Sequence, residues 1–443
     1  MGVRIGVPVE LVVLVVTLSR DQSFEHHLKI ANTARLELHR CDRRCRATHE
    51  RPGLAISDPS IVDDPLNLSR DVDYIGVALG REAQLGCIYA HAVKLTNRAA
   101  DLGSLALPYP KIELHVHLEG TVRPSTLLEI ARRNDVALPA NTVEGLADLY
   151  RFRDFAHFIE VWVMTTSALR TADDFRQVVV DYAQEAASHG AVYVEGIFSP
   201  AEPAVRGVPW EVIFEGYCDG AQEARELHGV EVRLTPDIPR GFPLEAAEAT
   251  TRYAIEYRER GVVGIGLGGL EAEFPPEPYA DAFALAREGG IASVPHAGEI
   301  AGIPSIRGAL EALGADRIRH GIRAVDDPAM VRELAGRGTV LDVCPISNLR
   351  TGAVRSLEEH PLQQLVAAGV RCSLSTDDPA MFDTDLSREY DAATSLGLSP
   401  RDFYEAGVAG ALCDEQTRET LRRCGEEYEW ASADVKADKT EES

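Results

Sequence analysis

Four histidines, two adjacent aspartates and one glutamate carry the chemistry this sequence offers. His115 and His117 form a His-x-His pair, His296 and Glu299 lie in HAGE, His320 follows Arg-Ile-Arg, and Asp377-Asp378 precede Pro379. Residues two apart on a strand share a face, so both imidazoles of the pair can reach one ion. Alone, the pair is better read as two satisfied polar residues at a strand end. Joined by His296 and Asp377, it makes three imidazoles and one carboxylate, a set that suits one Zn²⁺ per chain with a position left for water. His320 is then a fourth imidazole ligand or a group that hydrogen-bonds that water. Because four protein ligands already fill a tetrahedral shell, the second role is preferred. Glu299 stands three residues beyond His296 and faces the same cavity, where burial would make it a proton donor. Of the two aspartates, one can bind metal while the other faces a substrate; a turn aspartate before proline is the plainer alternative.

These residues need elements that bring them together. From Pro108 onward, short β-branched runs alternate with longer helical patterns, as in βα units. The predicted strands are 112–117, 191–199, 230–237, 262–269, 291–296, 317–321, 340–344 and 371–376. Helices are predicted over 173–189, 209–228, 244–260, 278–288, 305–313, 328–337 and 360–367. Eight strands with intervening helices in about 300 residues fit a (β/α)8 TIM-type barrel better than an open sheet. The barrel places catalytic groups at the C-terminal ends of its strands, and the histidines, Glu299 and the aspartates all fall there.

The bulk chemistry narrows the partners. The chain has 443 residues, with 45 Lys and Arg against 70 Asp and Glu, a formal net charge of -25. Residues 1–100 hold 13 basic and 12 acidic side chains, which leaves 32 against 58 in the remainder. A body so acidic lacks the basic footprint of a nucleic-acid binder. The eight cysteines are scattered, so reduced thiols in a cytoplasmic protein are expected rather than a disulfide framework; Cys41 and Cys45 lack the second pair of a zinc module. The apolar run 5–18 contains Glu10, is short for a membrane span and has no small-residue cleavage site after it. No membrane partner is expected. We divide the chain into an N-terminal extension of unassigned role (1–105), the barrel (106–430) and a polar, disordered tail (431–443).

Five motifs carry a resemblance. LHVHLEG (114–120), VPHAGE (294–299), RIRHGI (317–322), CPISN with TG (344–348, 351–352) and STDDP (375–379) together resemble the adenosine deaminase family of metal-dependent amidohydrolases over roughly residues 108–425. The resemblance implies that His115, His117, His296 and Asp377 are zinc ligands and that Glu299 donates a proton to purine N1. It implies that His320 orients and deprotonates the water, and that Asp378 and the backbone of Gly269 bind the ring. Hydrolytic deamination of adenosine or deoxyadenosine, a small-molecule purine nucleoside, is the leading expectation. The predicted fourth strand, VVGIGLGGLE, has no lysine to bridge two metals, and the cysteine-ligated pattern of nucleic-acid editing deaminases is absent.

Three departures from the family pattern open the substrate question. Glu119 stands where many members have an aspartate contacting the ribose 5′ hydroxyl, Leu270 replaces an acidic residue before Glu271, and Ile197 replaces an arginine. Free adenine and a 5′-extended nucleoside such as aminodeoxyfutalosine therefore remain alternatives. Phe155, Phe158 and Trp162 are candidates for pocket aromatics or for core. A non-catalytic, growth-factor-like binding protein on the same barrel is the alternative of another class. Oligomeric state is not legible in the sequence.

Overall fold

The computed structural model describes residues 108–152 and 155–430, together with the backbone of Val12–Leu14 and Val77–Leu79, which pair as antiparallel strands. The expected tail (431–443) and the remainder of the 1–105 extension, with Cys41 and Cys45, lie outside the described residues. The barrel strands are β1 (Lys111–His117), β2 (Ala191–Phe198), β3 (Glu231–Pro239), β4 (Gly264–Gly268), β5 in two pieces (Ala292–Ser293 and His296–Ala297), β6 (Arg317–His320), β7 (Val340–Val343) and β8 (Arg371–Leu374). Each pairs in parallel with the next. The ring closes just beyond β8, where Val116 bridges Asp377. There Asp377 N–H donates to His115 O (3.2 Å) and His117 N–H to Asp377 O (2.7 Å).

All eight predicted strands are present, with one physical difference. The fifth is interrupted at Val294-Pro295, because proline has no N–H to give to the ladder. The seven predicted helices are also present; the run expected over 244–260 ends its α-helix at Glu256 and finishes as a 3₁₀ turn, Arg258–Arg260. The helix Ala172–Ser188 shows why these segments fold as they do. Thr171 and Asp174 form a capping box, and Phe175, Val178, Val179, Tyr182, Ala183 and Ala186 bury one face at helical spacing. Sequence reasoning missed several helices, among them Pro124–Arg133, Leu386–Ser395, Pro400–Gly410 and Glu415–Glu427. No helix among the described residues is long and apolar enough to cross a membrane.

The bore of the barrel is polar. Arg317 on β6, almost fully buried, donates to Asp342 Oδ2 (2.5 Å) on β7 and Glu195 Oε2 (2.6 Å) on β2, and to the carbonyls of Gly410 and Leu114. Two residues along β6, Arg319 pairs with Asp237 of β3 and donates to Thr235 Oγ1 (2.7 Å). Inward-facing positions recur every second residue, so these pairs form successive rungs leading to the strand ends. Arg317→Met alone leaves two buried carboxylates without their cation, and a loss of about 3–5 kcal/mol is expected in urea denaturation. Adding Glu195→Gln and Asp342→Asn restores most of it. A single variant as stable as the parent would show that Arg317 is not the counter-charge.

Candidate metal centre and active site

β1, β5 and the residue after β8 deliver four donors to one point. His296 Nε2 lies 3.1 Å from His115 Nε2 and 3.2 Å from His117 Nε2, and Asp377 Oδ1 lies 3.2 and 3.3 Å from those same β1 nitrogens. A tetrahedral ion with bonds of about 2.0–2.2 Å holds neighbouring donors roughly 3.3–3.5 Å apart, so the spacing fits one small cation. The hydrogens agree. His296 Nδ1 faces the acceptors Leu267 O (3.2 Å) and Asp237 Oδ2 (3.3 Å), so the ring keeps its hydrogen there and turns a lone pair inward. Burial lowers the pKa of all three rings, that of His117 to about 4, which keeps them neutral and able to ligate. A second group of donors, His115, His320 and Cys344, shares His115 and belongs to the same centre.

The residues around these donors orient them. Burial pushes the Asp237 carboxyl up, but Arg319 and His296 outweigh it and hold the group well below the carboxylate range, as an anion behind His296. A Cβ at Gly266 would sit 2.0 Å from Asp237 Oδ1, so only glycine leaves room for this pairing. Ser347 Oγ donates to Asp377 Oδ2 (2.6 Å), and His115 Nδ1 lies 3.6 Å from the Cys344 sulfur. Asp377 and His320 both hold left-handed backbone, φ 65° and 62°, a strain that points their side chains into the barrel mouth.

The other expected residues fall around the same mouth. His320 Nε2 is 3.7 Å from Glu299 Oε2 and 3.9 Å from Asp377 Oδ2. Glu299 is surrounded closely enough that burial raises its pKa. Burial and the neighbouring Asp377 push the Asp378 carboxyl well above the usual range; its Oδ1, packed against Gly120, has no hydrogen-bond partner. Glu119 accepts from Ser199 N–H (2.8 Å), and burial raises its pKa to about 7. Gly269 ends β4 with φ 104°, Leu270 is largely exposed, and Ile197 is fully buried in β2. Phe158, with Phe152 and Phe382, lines a cleft of about 760 Å³ that also reaches Arg123, Arg350 and Thr351, whose hydroxyl faces Glu299 at 3.5 Å. Trp162 is half-buried, packed at the edge of the core. The side chain of Phe155 lies outside the described residues.

Sequence reasoning missed Asp237, Asn348, His360 and the anchoring role of Glu271. The last holds the loop that carries Glu299. Its carboxylate accepts from Ser305 Oγ (2.6 Å), from the N–H groups of Glu299 (3.1 Å), Ile300 and Ala301 (both 2.9 Å), and from that of Gly298. Burial works to raise the Glu271 pKa, but these donors together outweigh it and hold the group below its ordinary value. A carboxyl depressed in the folded state stabilises the fold above its unfolded pKa of about 4.3, and that contribution is lost as the pH falls through the folded value. Glu271→Gln should therefore melt well below the parent at pH 7, with the gap closing on acidification. A gap independent of pH would remove the ionised carboxylate from the explanation.

The chain's relatives share this architecture. A family model for adenosine deaminase matches residues 110–424. Over 328 residues the chain is 55% identical to an aminodeoxyfutalosine deaminase of Acidothermus cellulolyticus, a match covering 72% of this chain and 92% of the relative. An adenine deaminase of Cupriavidus necator is 40% identical over 297 residues, 67% of this chain and 84% of that one. Among solved structures, an amidohydrolase from Burkholderia ambifaria with bound zinc superposes with a TM-score of 0.67 at 27% identity, covering 75% of this chain and 92% of that chain. The chain belongs to the adenosine deaminase family and is, with its relatives, a hydrolase acting on carbon–nitrogen bonds.

Proposed function

We propose that the protein removes the 6-amino group of an adenine-type ring by hydrolysis, and that its substrate is a nucleoside extended at the 5′ position, of the aminodeoxyfutalosine kind. The observation that carries the chemistry is the convergence of His115, His117, His296 and Asp377 beside the half-buried Glu299. One zinc ion per chain would be held by those four residues. When bound, zinc supplies a Lewis acid that brings the pKa of water toward neutrality.

The protein's own groups do the rest. Glu299, with its raised pKa, hands a proton to ring nitrogen N1, which makes C6 a better electrophile. Asp378, its carboxyl pushed well above the usual range by burial and then by Asp377, hydrogen-bonds the ring, while the backbone of Gly269 binds the opposite edge. His320 faces the side from which water attacks. The water oxygen bonds to C6, the C6–N bond breaks, ammonia leaves with the hydrogen still on that oxygen, and a 6-oxo ring that keeps its proton at N1 remains.

The substrate assignment departs from the adenosine reading that leads from sequence alone. Its support is the 55% identity to an aminodeoxyfutalosine deaminase, against 40% to an adenine deaminase. The cleft beside Thr351 and Phe382, about 760 Å³, offers space beyond a purine. The five cysteines free among the described residues suit a reducing compartment, and we place the activity in the cytoplasm. A barrel that only bound its ligand would have no need of the clamped loop that carries Glu299.

Deamination followed by purine absorbance should be fastest with aminodeoxyfutalosine, slower with adenosine and deoxyadenosine, and slowest with adenine. Glu299→Gln should lower kcat about 10²–10⁴-fold with KM changed little. Adenosine as the preferred substrate would overturn the 5′-extended assignment, and no turnover of any member by zinc-loaded protein would overturn the deaminase reading.

A further inference from the structure

A chain of hydrogen bonds runs from a helix start to the ring of His320, and its direction is fixed at one end. Leu362 opens the helix Leu362–Ala367, and its N–H donates to His360 Nδ1 at 3.1 Å. An amide N–H at the first turn of a helix has no intrahelical acceptor and can only donate, so His360 Nδ1 carries no hydrogen. Burial lowers the His360 pKa to about 4, so the ring is neutral near pH 7 and its one hydrogen is on Nε2. That nitrogen lies 3.1 Å from the Asn348 side chain, which must present its carbonyl oxygen there. The amide nitrogen of Asn348 then faces His320 Nδ1 at 3.3 Å. An amide NH₂ also only donates.

We infer that His360 and Asn348 are positioning residues that hold His320 as the tautomer with its hydrogen on Nε2, so that His320 offers the reaction a hydrogen-bond donor and no lone pair. The opposite side of the ring agrees with this. Nε2 faces the Glu299 carboxyl at Oε2 (3.7 Å) and the Asp377 carboxylate at Oδ2 (3.9 Å), the second an acceptor. His360 and Asn348 are almost wholly buried, which leaves little room for either to turn over.

The inference rests on the deaminase reading of the site and revises one part of it. The sequence analysis gave His320 the task of deprotonating water. A ring with hydrogen already on Nε2 cannot take that proton; it can stabilise negative charge growing on the attacking oxygen. The water's proton passes instead to Glu299 once that carboxyl has given its own proton to the ring nitrogen, so Glu299 ends the cycle protonated and no proton is gained or lost at His320.

The test uses zinc-loaded, full-length protein labelled with ¹⁵N in its histidine rings. Two-bond ¹⁵N–¹H spectra should show His320 and His360 each with a protonated Nε2 and a bare Nδ1, assigned by the loss of signals in His320→Gln and His360→Gln. His360→Gln can still accept from Leu362 and donate to Asn348, so its kcat should stay close to that of the parent. His360→Leu cannot, and kcat should fall about 10–100-fold with KM little changed. Asn348→Asp, which offers only acceptors, should move the His320 hydrogen to Nδ1. A protonated Nδ1 on His320 in the parent would overturn the inference, as would equal losses in the Gln and Leu variants at 360. If the variants do not fold, the parent spectrum decides, since the two rings are then the buried pair with hydrogen on Nε2 alone. A parent that shows the expected tautomers yet turns over no purine would sink the proposed function and leave the relay standing.

Discussion

Lone pairs that face one another without enough hydrogens to share are the constraint on which this structure depends. Three imidazole nitrogens and a carboxylate oxygen meet within hydrogen-bond distance at the mouth of the barrel. His296 has its hydrogen committed outward to Leu267 and Asp237 and turns a bare nitrogen inward. Such a cluster is repulsive unless a cation sits in it, so the fold must hold it in place. The means is barrel closure. Asp377 supplies one of the four donors, and its backbone N–H and C=O also join the last strand to the first. Closing the ring and assembling the centre are one event, and the left-handed φ of Asp377 is the cost of serving both.

The same logic explains a polar bore in an acidic chain. Arg317 and Arg319 lie two residues apart on β6 and face carboxylates of β2, β3 and β7. Buried ion pairs are weak contributors to net stability compared with well-packed apolar side chains, so their presence calls for another reason. Here each pair fixes strand against strand across the bore, and the Arg319–Asp237 pair passes that constraint directly to His296. Gly266 on β4 is the packing condition for this transfer, since any side chain there would occupy the carboxylate's place.

The parts legible in the sequence were those with a local signal. Alternating apolar runs gave all eight strands, and residues such as His115, His117 and His320 could be placed because they sit at the ends of those runs. The interruption of β5 at Pro295 is a local signal too, but the apolar pattern on either side masked it. Asp237, Glu271, Asn348 and His360 were not legible as functional groups, for a common reason. Each works through a partner on another element: Asp237 on His296, Glu271 on the 298–301 loop, His360 through Asn348 on His320. No periodicity connects positions so far apart in sequence, and an isolated acid or histidine in an apolar strand or loop carries no mark of the group it will meet. Substrate choice was illegible for a further reason, since it depends on loop residues such as Glu119 and Leu270 rather than on the strand ends that fix the chemistry.

Like charges complete the account of the site. Asp377, Glu119 and Glu299 all add to burial in raising the Asp378 carboxyl, and Asp377 also raises Glu299. Burial and then the neighbouring Asp377 push the Asp378 carboxyl well above its ordinary value. Crowded carboxyls, costly for the fold, thus set the charge of the barrel mouth.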